Sequence, residues 1–302
     1  MSKRTDIPVD VVITTKNNWI LLNRLLESLK AQTYKNYTCC VIDNCSSDKT
    51  SELIVQKFPW VNFITTFRCQ GPSINRNIAI EKGNSPLIVT LDDDVVLTPS
   101  WLEEMIKFIE RYPRAGAIAS QLRFLDRPEI INSAGGFLSK EGFGGDLFFN
   151  MEVKKINSVI SKHRRVIFSC SAAMLIRREV FEKVGRFDPL YFYLCEDYDL
   201  SLRIQKIGYL ILYNPGALAY HGFHSTVRKS GENFIEYLLF RNTLRTLFKN
   251  FTYKTFTKML IRLVRKYLWK IKKAKVYEKL NYLHIILKAV GWNVIHIPSA
   301  II

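Results

Sequence analysis

Three aspartates, Asp92, Asp93 and Asp94, follow the apolar run PLIVTL without a break. If that run is a buried strand, Asp92 and Asp94 point the same way at its end. Two carboxylates on one side favour a hard divalent cation, Mg2+ or Mn2+, whose remaining positions suit the oxygens of a diphosphate. The bland alternative is an acidic strand-to-loop turn. Asp43 ends another apolar run, in VIDNCSSDKT. A carboxylate there can accept hydrogen bonds from a base or a ribose, although alone it reads as a turn residue. His221 closes the run YLILYNPGALAYH and becomes a third ligand if a metal lies beside it. His224 is close enough to leave the choice between the two open. A second acidic group, Glu196, Asp197 and Asp199, opens a helical pattern in YLCEDYDLSLRIQKIGY. The macrodipole favours the anion of an acid at a helix start. That suits a cap and a base near neutral pH equally.

These residues need a scaffold, and the first third of the chain predicts one. VDVVITT, YTCCVIDN, VNFITT and PLIVTLDDD read as short buried strands. Helical patterns separate them: WILLNRLLESLKAQT, with Ile20, Leu21, Leu25 and Leu29 as its stripe, then SSDKTSELIVQKF capped by Ser46 or Ser47, and INRNIAIEKG closed by Gly83. SWLEEMIKFIERY adds a fourth helix with Ser100 as its cap. Four alternations with short connections predict a parallel sheet covered on both faces. In such sheets ligands sit beyond the carboxyl ends of the strands. The polar residues there are Thr14, Thr15, Asn17, Asp43, Asn44 and the Asp92–Asp94 run. AGAIASQLRF continues as a strand, and the glycine-rich stretch NSAGGFLSKEGFGGDLFF predicts a mobile loop over the crevice. RVIFSCSAAMLIRREVFEKVG returns to a strand and a helix.

Charge divides the chain unevenly. Its 302 residues carry 44 Lys/Arg and 27 acids, a net of +17. Residues 228–302 hold 16 Lys/Arg against Glu232, Glu236 and Glu278, so this tail carries +13 and everything before it only +4. A basic tail points to nucleic acid or an anionic membrane surface. Its helices mix Leu, Ile, Trp and Tyr with the cations, which favours lying in a lipid interface over a merely solvated face. LHIILKAVGWNVIHIPSAII, residues 283–302, is apolar but interrupted by Lys288, Asn293, two histidines and Pro298, a poor membrane span. The six cysteines show no paired spacing and read as reduced, mostly buried thiols of a cytosolic protein, and MSKRTDIPVD lacks the apolar core of a signal peptide.

Several ordered motifs together resemble the inverting nucleotide-sugar glycosyltransferases of family two, and among them the bacterial and archaeal rhamnosyltransferase-like branch. VVITTKNN stands where that family has a strand followed by Pro-Thr-Tyr-Asn, and VIDNCSSDKT is similar to its Val-Asp-Asn-x-Ser-x-Asp-x-Thr. GPSINRNIAI resembles Gly-x-x-x-x-Arg-Asn-x-Gly-Ile, LDDD the DxD element, and the segment through CEDYDL the Glu-Asp-x-Asp-Leu element. ALAYHGFHST and Arg241–Asn242 complete the likeness, which covers roughly residues 9–226 and 241–242. It implies a GT-A (Rossmann-like) mixed α/β sheet flanked by helices, with a basic helical C-terminal extension. Residues 1–112 would form a nucleotide-sugar half, 113–227 an acceptor half, and 228–302 the membrane-associated tail.

The resemblance also implies roles. Asp43 would hold the base, commonly uracil or thymine, and Asp92 the ribose. Thr14, Thr15, Asn17, Arg76, Asn77 and Asp93 would lie along the nucleotide-sugar. Asp94 would bind the metal, with His221 as a further ligand. Asp197 would be the general base, and Glu196 and Arg241 would face the acceptor. The donor would be a UDP-, dTDP- or GDP-linked sugar, with Mn2+ or Mg2+, and the acceptor a saccharide or lipid-linked saccharide. The enzyme would be cytoplasmic, peripheral on the cytoplasmic face of the membrane. Thr14, Lys16 and Ala79 depart from the family's proline, tyrosine and glycine, which bears on donor preference and leaves the carboxylates intact. A Mg2+-dependent nucleotidyltransferase would also use strand-end acids but would release pyrophosphate. A nucleic-acid-binding protein would use the tail but leave those acids without a purpose, and no RNA- or DNA-binding module is present. No nucleic-acid partner is therefore expected.

Overall fold

A computed structural model describes residues 6–223 and 231–297. The expected alternation is present: β1 (Val9–Thr15), α1 (Trp19–Lys30), β2 (Tyr37–Asp43), α2 (Thr50–Lys57), β3 (Asn62–Thr65), α3 (Pro72–Glu81), β4 (Leu87–Asp92). β5 (Val95–Leu97), α4 (Trp101–Arg111) and β6 (Ala115–Phe124) come next. The strands β3, β2, β1 and β4 lie side by side and parallel, so all four carboxyl ends reach one edge. Side chains alternate along β1: Val9, Val11 and Ile13 enter the layer beneath α1 and α4, and Val12 enters the opposite layer. The buried stripe of α1 is Leu22, Leu25, Leu26 and Leu29, while Ile20 is 75% exposed and Leu21 only half-buried. The stripe is thus rotated from the one the sequence suggested.

The second half turns the sheet mixed. β11 (Ala173–Arg177) runs antiparallel to β4 and to β6, and β12 (Leu210–His221) lies parallel to β6. Short β7 (Ile131–Ser133) and β10 (Arg164–Val166) pair with β6 and β12. α5 (Val153–Ile160), α6 (Arg178–Val184) and α7 (Glu196–Lys206) complete the helical cover. The glycine-rich stretch is not a free loop. It forms a hairpin of β8 (Gly136–Leu138) and β9 (Gly144–Asp146), tied to the body by the Gly136 amide on the Phe168 carbonyl at 2.7 Å. Glycine is required there for closeness: a Cβ on Gly136 would sit 2.1 Å from the Phe168 ring.

The basic tail is three helices: α8 (Glu232–Asn250), α9 (Tyr253–Lys273) and α10 (Val276–Ile295). They share a core of Leu238, Phe240, Leu263, Tyr267, Ile285 and Ala289. α8 is also fastened to the body by charge. Asp199, wholly buried, pairs with Arg203 at 2.9 Å, and also accepts from Lys249 at 3.1 Å and Asn250 at 2.8 Å. Asp188 takes Arg245 and Lys249 at 2.8 and 2.7 Å. No helix among the described residues is long and apolar enough to cross a membrane, and the end of the 283–302 stretch lies outside them.

Candidate active site

The Asp92–Asp94 run reaches the sheet edge by a turn rather than by strand alternation. β4 ends on Asp92, and Asp93 and Asp94 make the turn into β5. β5 then pairs antiparallel with β12, Val95 opposite His221, which brings the far end of the chain's body onto the acidic turn. One ligand atom each from Asp92, Asp94 and His221 lies within 4.8 Å of the other two. His221 Nε2 is 3.2 Å from Asp94 Oδ1, and its Nδ1 is 2.8 Å from Asn132 Oδ1. Held in this way, the ring presents Nε2 to the carboxylates. Burial lowers the pKa of His221, but Asp94 and then Asp92 outweigh it, and the net direction is up. The Gly222 amide donates to the Asp94 carbonyl at 2.9 Å, and a Cβ on Gly222 would lie 3.0 Å from Asp94 Oδ2. The backbone thus leaves room for the carboxylate. His224 lies outside the described residues.

Two oxygens, one imidazole nitrogen and a cradle that a methyl group would crowd fit a divalent cation of intermediate hardness, Mn2+ above Mg2+. The middle acid is different. Asp93 accepts from Thr15 Oγ1 at 2.7 Å and from Asn18 Nδ2 at 2.8 Å, so both its oxygens hold the end of β1. Burial and Asp94 push its carboxyl up to about 7.

Asp43 is fully buried at the end of β2, accepting from the Ser46 amide at 3.2 Å, from the Ser46 hydroxyl, and from Ser51 Oγ at 2.8 Å. Ser46 and Ser47 therefore do not cap α2. The cap position falls on Lys49, which makes no side-chain cap; Asp48 before it accepts from the Thr50 amide at 3.0 Å, and Ser47 gives its amide to Asn17 Oδ1 at 2.7 Å. Asn17, in the left-handed region at φ 50°, returns its own amide to Ser46 Oγ at 2.8 Å. The loops after β1 and β2 are thus laced together beside Asp43. Thr14 is half-buried in the last register pair of β1 with β4, opposite Asp92. Ser100 occupies the start of α4 but makes no side-chain cap. Only Cys39 and Cys40 of the six free thiols are buried, fewer than expected, and exposed Cys69 receives Lys16 Nζ at 3.0 Å.

The two acidic groups are joined by one guanidinium. Arg76, 2% exposed on α3, gives Nη2 to Asp92 at 2.6 Å and Nη1 to Glu196 at 2.8 Å. The other Glu196 oxygen is buried without a partner. Asp197, the next residue, is half-buried and accepts from the Ser171 amide at 3.2 Å and the Tyr198 amide at 2.7 Å. Its position at the start of α7 does not keep it an ordinary anion: burial, then Glu196, pushes its carboxyl up to about 7. Desolvation and a like charge outweigh the helix terminus here.

Two expected contacts use their polar atoms inside the chain. Asn77 gives Nδ2 to the Phe187 carbonyl at 2.8 Å and takes the Phe187 amide at 3.1 Å. Arg241 donates to the Leu190 and Tyr191 carbonyls at 3.1 and 2.7 Å and lies 4.4 Å from the Trp292 ring. Two residues were not found by sequence. Asp146 on β9 is close enough to Asp197 and His221 to bear on both, and burial pushes it up to about 6. Tyr193 is surrounded by Asp92, Glu196 and Asp94, and burial followed by those charges raises its phenol. A lone acid in a glycine-rich stretch and a tyrosine in an aromatic run carry no signal by type or spacing.

The chain Tyr191–Cys195 leading into α7 is strained. Phe192 (φ 61°, ψ −62°), Leu194 (φ 69°) and Cys195 (φ 68°) are all left-handed, and none is glycine. The Tyr193 amide reaches the Tyr191 carbonyl at 2.6 Å, a tight three-residue turn of the rare hand. Each such residue costs about 1–3 kcal/mol and persists only where its surroundings enforce it.

Comparison with known proteins places this geometry. The chain is 29% identical over 245 residues to the N-acetylglucosaminyl-diphospho-decaprenol L-rhamnosyltransferase of Mycobacterium tuberculosis, covering 74% of this chain and 79% of that one. Among solved structures it superposes on Staphylococcus aureus TarS 1–349 in complex with UDP-GlcNAc, with a TM-score of 0.64 and 14% identity, over 94% of this chain and 81% of the other. It likewise superposes on the mannosyltransferase PcManGT of Pyrobaculum calidifontis in complex with GDP-Man and Mn2+, with a TM-score of 0.60 and 15% identity, over 94% and 75%. At such identities the superpositions speak for the fold, which is GT-A. The Glycosyl transferase family 2 model matches residues 10–185, more than half of the 302, and the chain accordingly belongs to that family and is a glycosyltransferase.

Proposed function

We propose that the protein moves a sugar, with inversion, from a nucleoside-diphosphate donor to a lipid-linked saccharide acceptor at a membrane surface. The observation that carries this reading is the Asp92–Arg76–Glu196 bridge. It ties the acidic turn, where the diphosphate and its cation would sit, to the helix that begins with the prospective base. Asp92, Asp94 and His221 would hold Mn2+, which when bound neutralises charge growing on the leaving diphosphate. Asp43, with Thr14, Thr15 and Asn17 beside it, would receive the base and ribose at the ends of β1 and β2. Asp197 would take the proton of the attacking hydroxyl on the side opposite the departing group, and its raised pKa suits that task near neutral pH. Asp93 would serve by holding β1 against the acidic turn.

The tail supports the membrane part. Ile261, Val264 and Leu268 on α9, and Leu280, Leu283, Leu287, Val290 and Val294 on α10, are exposed at helical spacing among many lysines. Exposed apolar stripes bordered by cations suit the headgroup region of an anionic bilayer. A cytoplasmic, peripheral location accompanies this reading. The M. tuberculosis relative is named for a lipid-linked diphosphate acceptor, which agrees with such a surface.

The test is a donor screen with UDP-, dTDP- and GDP-sugars, anionic vesicles carrying a lipid extract, and Mn2+ or Mg2+. Release of free nucleoside diphosphate, supported by Mn2+ more than Mg2+ and lost in chelator, is the expected result. Pyrophosphate as the product would sink the reading in favour of nucleotidyl transfer. Vesicle binding that ignores salt and lipid charge would remove the membrane part alone.

A further inference from the structure

We propose that Asn242, with Arg241 beside it, is a positioning residue for the transfer reaction. It enforces the strained turn at Tyr191–Cys195 and thereby fixes where α7, with Glu196 and Asp197, begins. Asn242 is wholly buried on α8. Its Nδ2 shares two hydrogens among the carbonyls of Tyr191 (3.1 Å), Tyr193 (2.8 Å) and Leu194 (2.7 Å). Three carbonyls of consecutive or near-consecutive residues can converge on one amide only if the chain curls around it. The curl is the run of left-handed residues at 192, 194 and 195.

Arg241 closes the same curl from the side. Its Nε donates to Asn242 Oδ1 at 2.8 Å, orienting the amide so that Nδ2 faces the turn, while its Nη2 donates to the Leu190 and Tyr191 carbonyls. One turn further along α8, Thr246 Oγ1 meets the Tyr191 hydroxyl at 2.8 Å. Asn293 on α10 holds the Arg241 carbonyl at 3.0 Å, so the clamp is braced by the tail. The clamped segment then starts α7 directly: the Cys195 carbonyl accepts the Asp199 amide at 2.9 Å, the first bond of the helix. Phenylalanine, leucine and cysteine do not prefer positive φ, so without the clamp the segment relaxes to extended or right-handed backbone. The first turn of α7 then moves, and the base leaves its place opposite the acidic turn.

This rests on Asp197 acting as base, and the experiment lets the two ideas fail separately. Asn242→Gln keeps an amide but shifts its donors by one methylene, and Asn242→Ala removes them. Both are assayed by nucleoside-diphosphate release in the full chain, corrected for the folded fraction, beside amide exchange of the 190–199 segment. The expected result is a fall in kcat of about 100-fold, the scale of a displacement near 1 Å. Donor KM is unchanged and exchange at 193–199 is faster, while β4 amides stay protected. Adding Phe192→Gly, which takes positive φ without strain, to Asn242→Ala is expected to recover part of the lost kcat. Wild-type kcat per folded molecule in Asn242→Gln overturns the proposal, as does unchanged exchange at 193–199 or the absence of any recovery with Phe192→Gly. Should Asp197→Asn retain turnover, the base assignment fails, and the exchange and recovery measurements still judge the clamp.

Discussion

Asp197→Asn is expected to lower turnover about 1,000-fold, within the range that a positioned general base contributes, and to leave donor binding intact. The substitution is nearly isosteric. Asparagine Oδ1 can still accept one of the two amides, Ser171 or Tyr198, that hold the carboxylate, so the start of α7 is preserved. What disappears is the ability to accept a proton. The pH dependence gives a second mark of the same group. Burial and the neighbouring Glu196 push the Asp197 carboxyl up to about 7. Below that value the base is protonated, and kcat falls roughly tenfold per pH unit; above it the base is ionised, and kcat is level. Measured from about pH 5 to about pH 9, the acid limb is expected in the wild type and absent from the residual activity of Asp197→Asn. A variant that turns over at the wild-type rate would remove Asp197 from the role.

The second large effect is on stability. Arg76→Met is expected to cost about 3–5 kcal/mol, the penalty for breaking a buried ion pair from one side. Arg76 is 2% exposed and Glu196 5% exposed, so neither charge has water to fall back on. Methionine fills much of the space but leaves Glu196 as a buried anion next to Asp197, and Asp92 loses the 2.6 Å contact that fixes the acidic turn. Against a total stability of about 5–15 kcal/mol, such a loss is visible as a clear drop in the urea midpoint. Adding Glu196→Gln should restore part of it, because the orphaned charge is then gone. A single variant that unfolds within about 0.5 kcal/mol of wild type would show that the bridge is not a strut.

The sequence disclosed the parallel half of the fold because its strands are short β-branched runs separated by single helices. It misplaced the stripe of α1 because WILLNRLL has apolar residues at most helical phases, and only the sheet beneath decides which phase faces in. Ser46 and Ser47 looked like caps by type. Asp43 claims Ser46 within the same loop, and Asn17 claims both serines through contacts between loops far apart in sequence. The acids at 92, 94 and 197 stood out because carboxylates after buried runs are conspicuous. Arg241 was expected at the acceptor because sequence cannot tell a guanidinium facing a ligand from one facing the chain's own carbonyls. The raised pKa of Asp197 was missed for a related reason: helix position is legible from sequence, but burial beside Glu196 and Asp146 is not.

The ion cluster joining α7 to α8 bears on where this protein could be divided. Asp199 meets Arg203 within its own helix, but its other cation comes from Lys249 and its amide partner from Asn250, at the far end of α8. A catalytic piece ending before α8 would carry a buried carboxylate stripped of Lys249 and Asn250, and the turn before Glu196 would lose its grip. The natural seam for grafting lies after Asn250, at Phe251–Thr252, where the chain is extended and α9 begins. An engineer wishing to exchange α9 and α10 for other helices would keep α8 with the enzyme. The replacement would need apolar side chains to cover Leu238 and Phe240, as Leu263, Tyr267, Ile285 and Ala289 do now, and a donor for the Arg241 carbonyl where Asn293 stands.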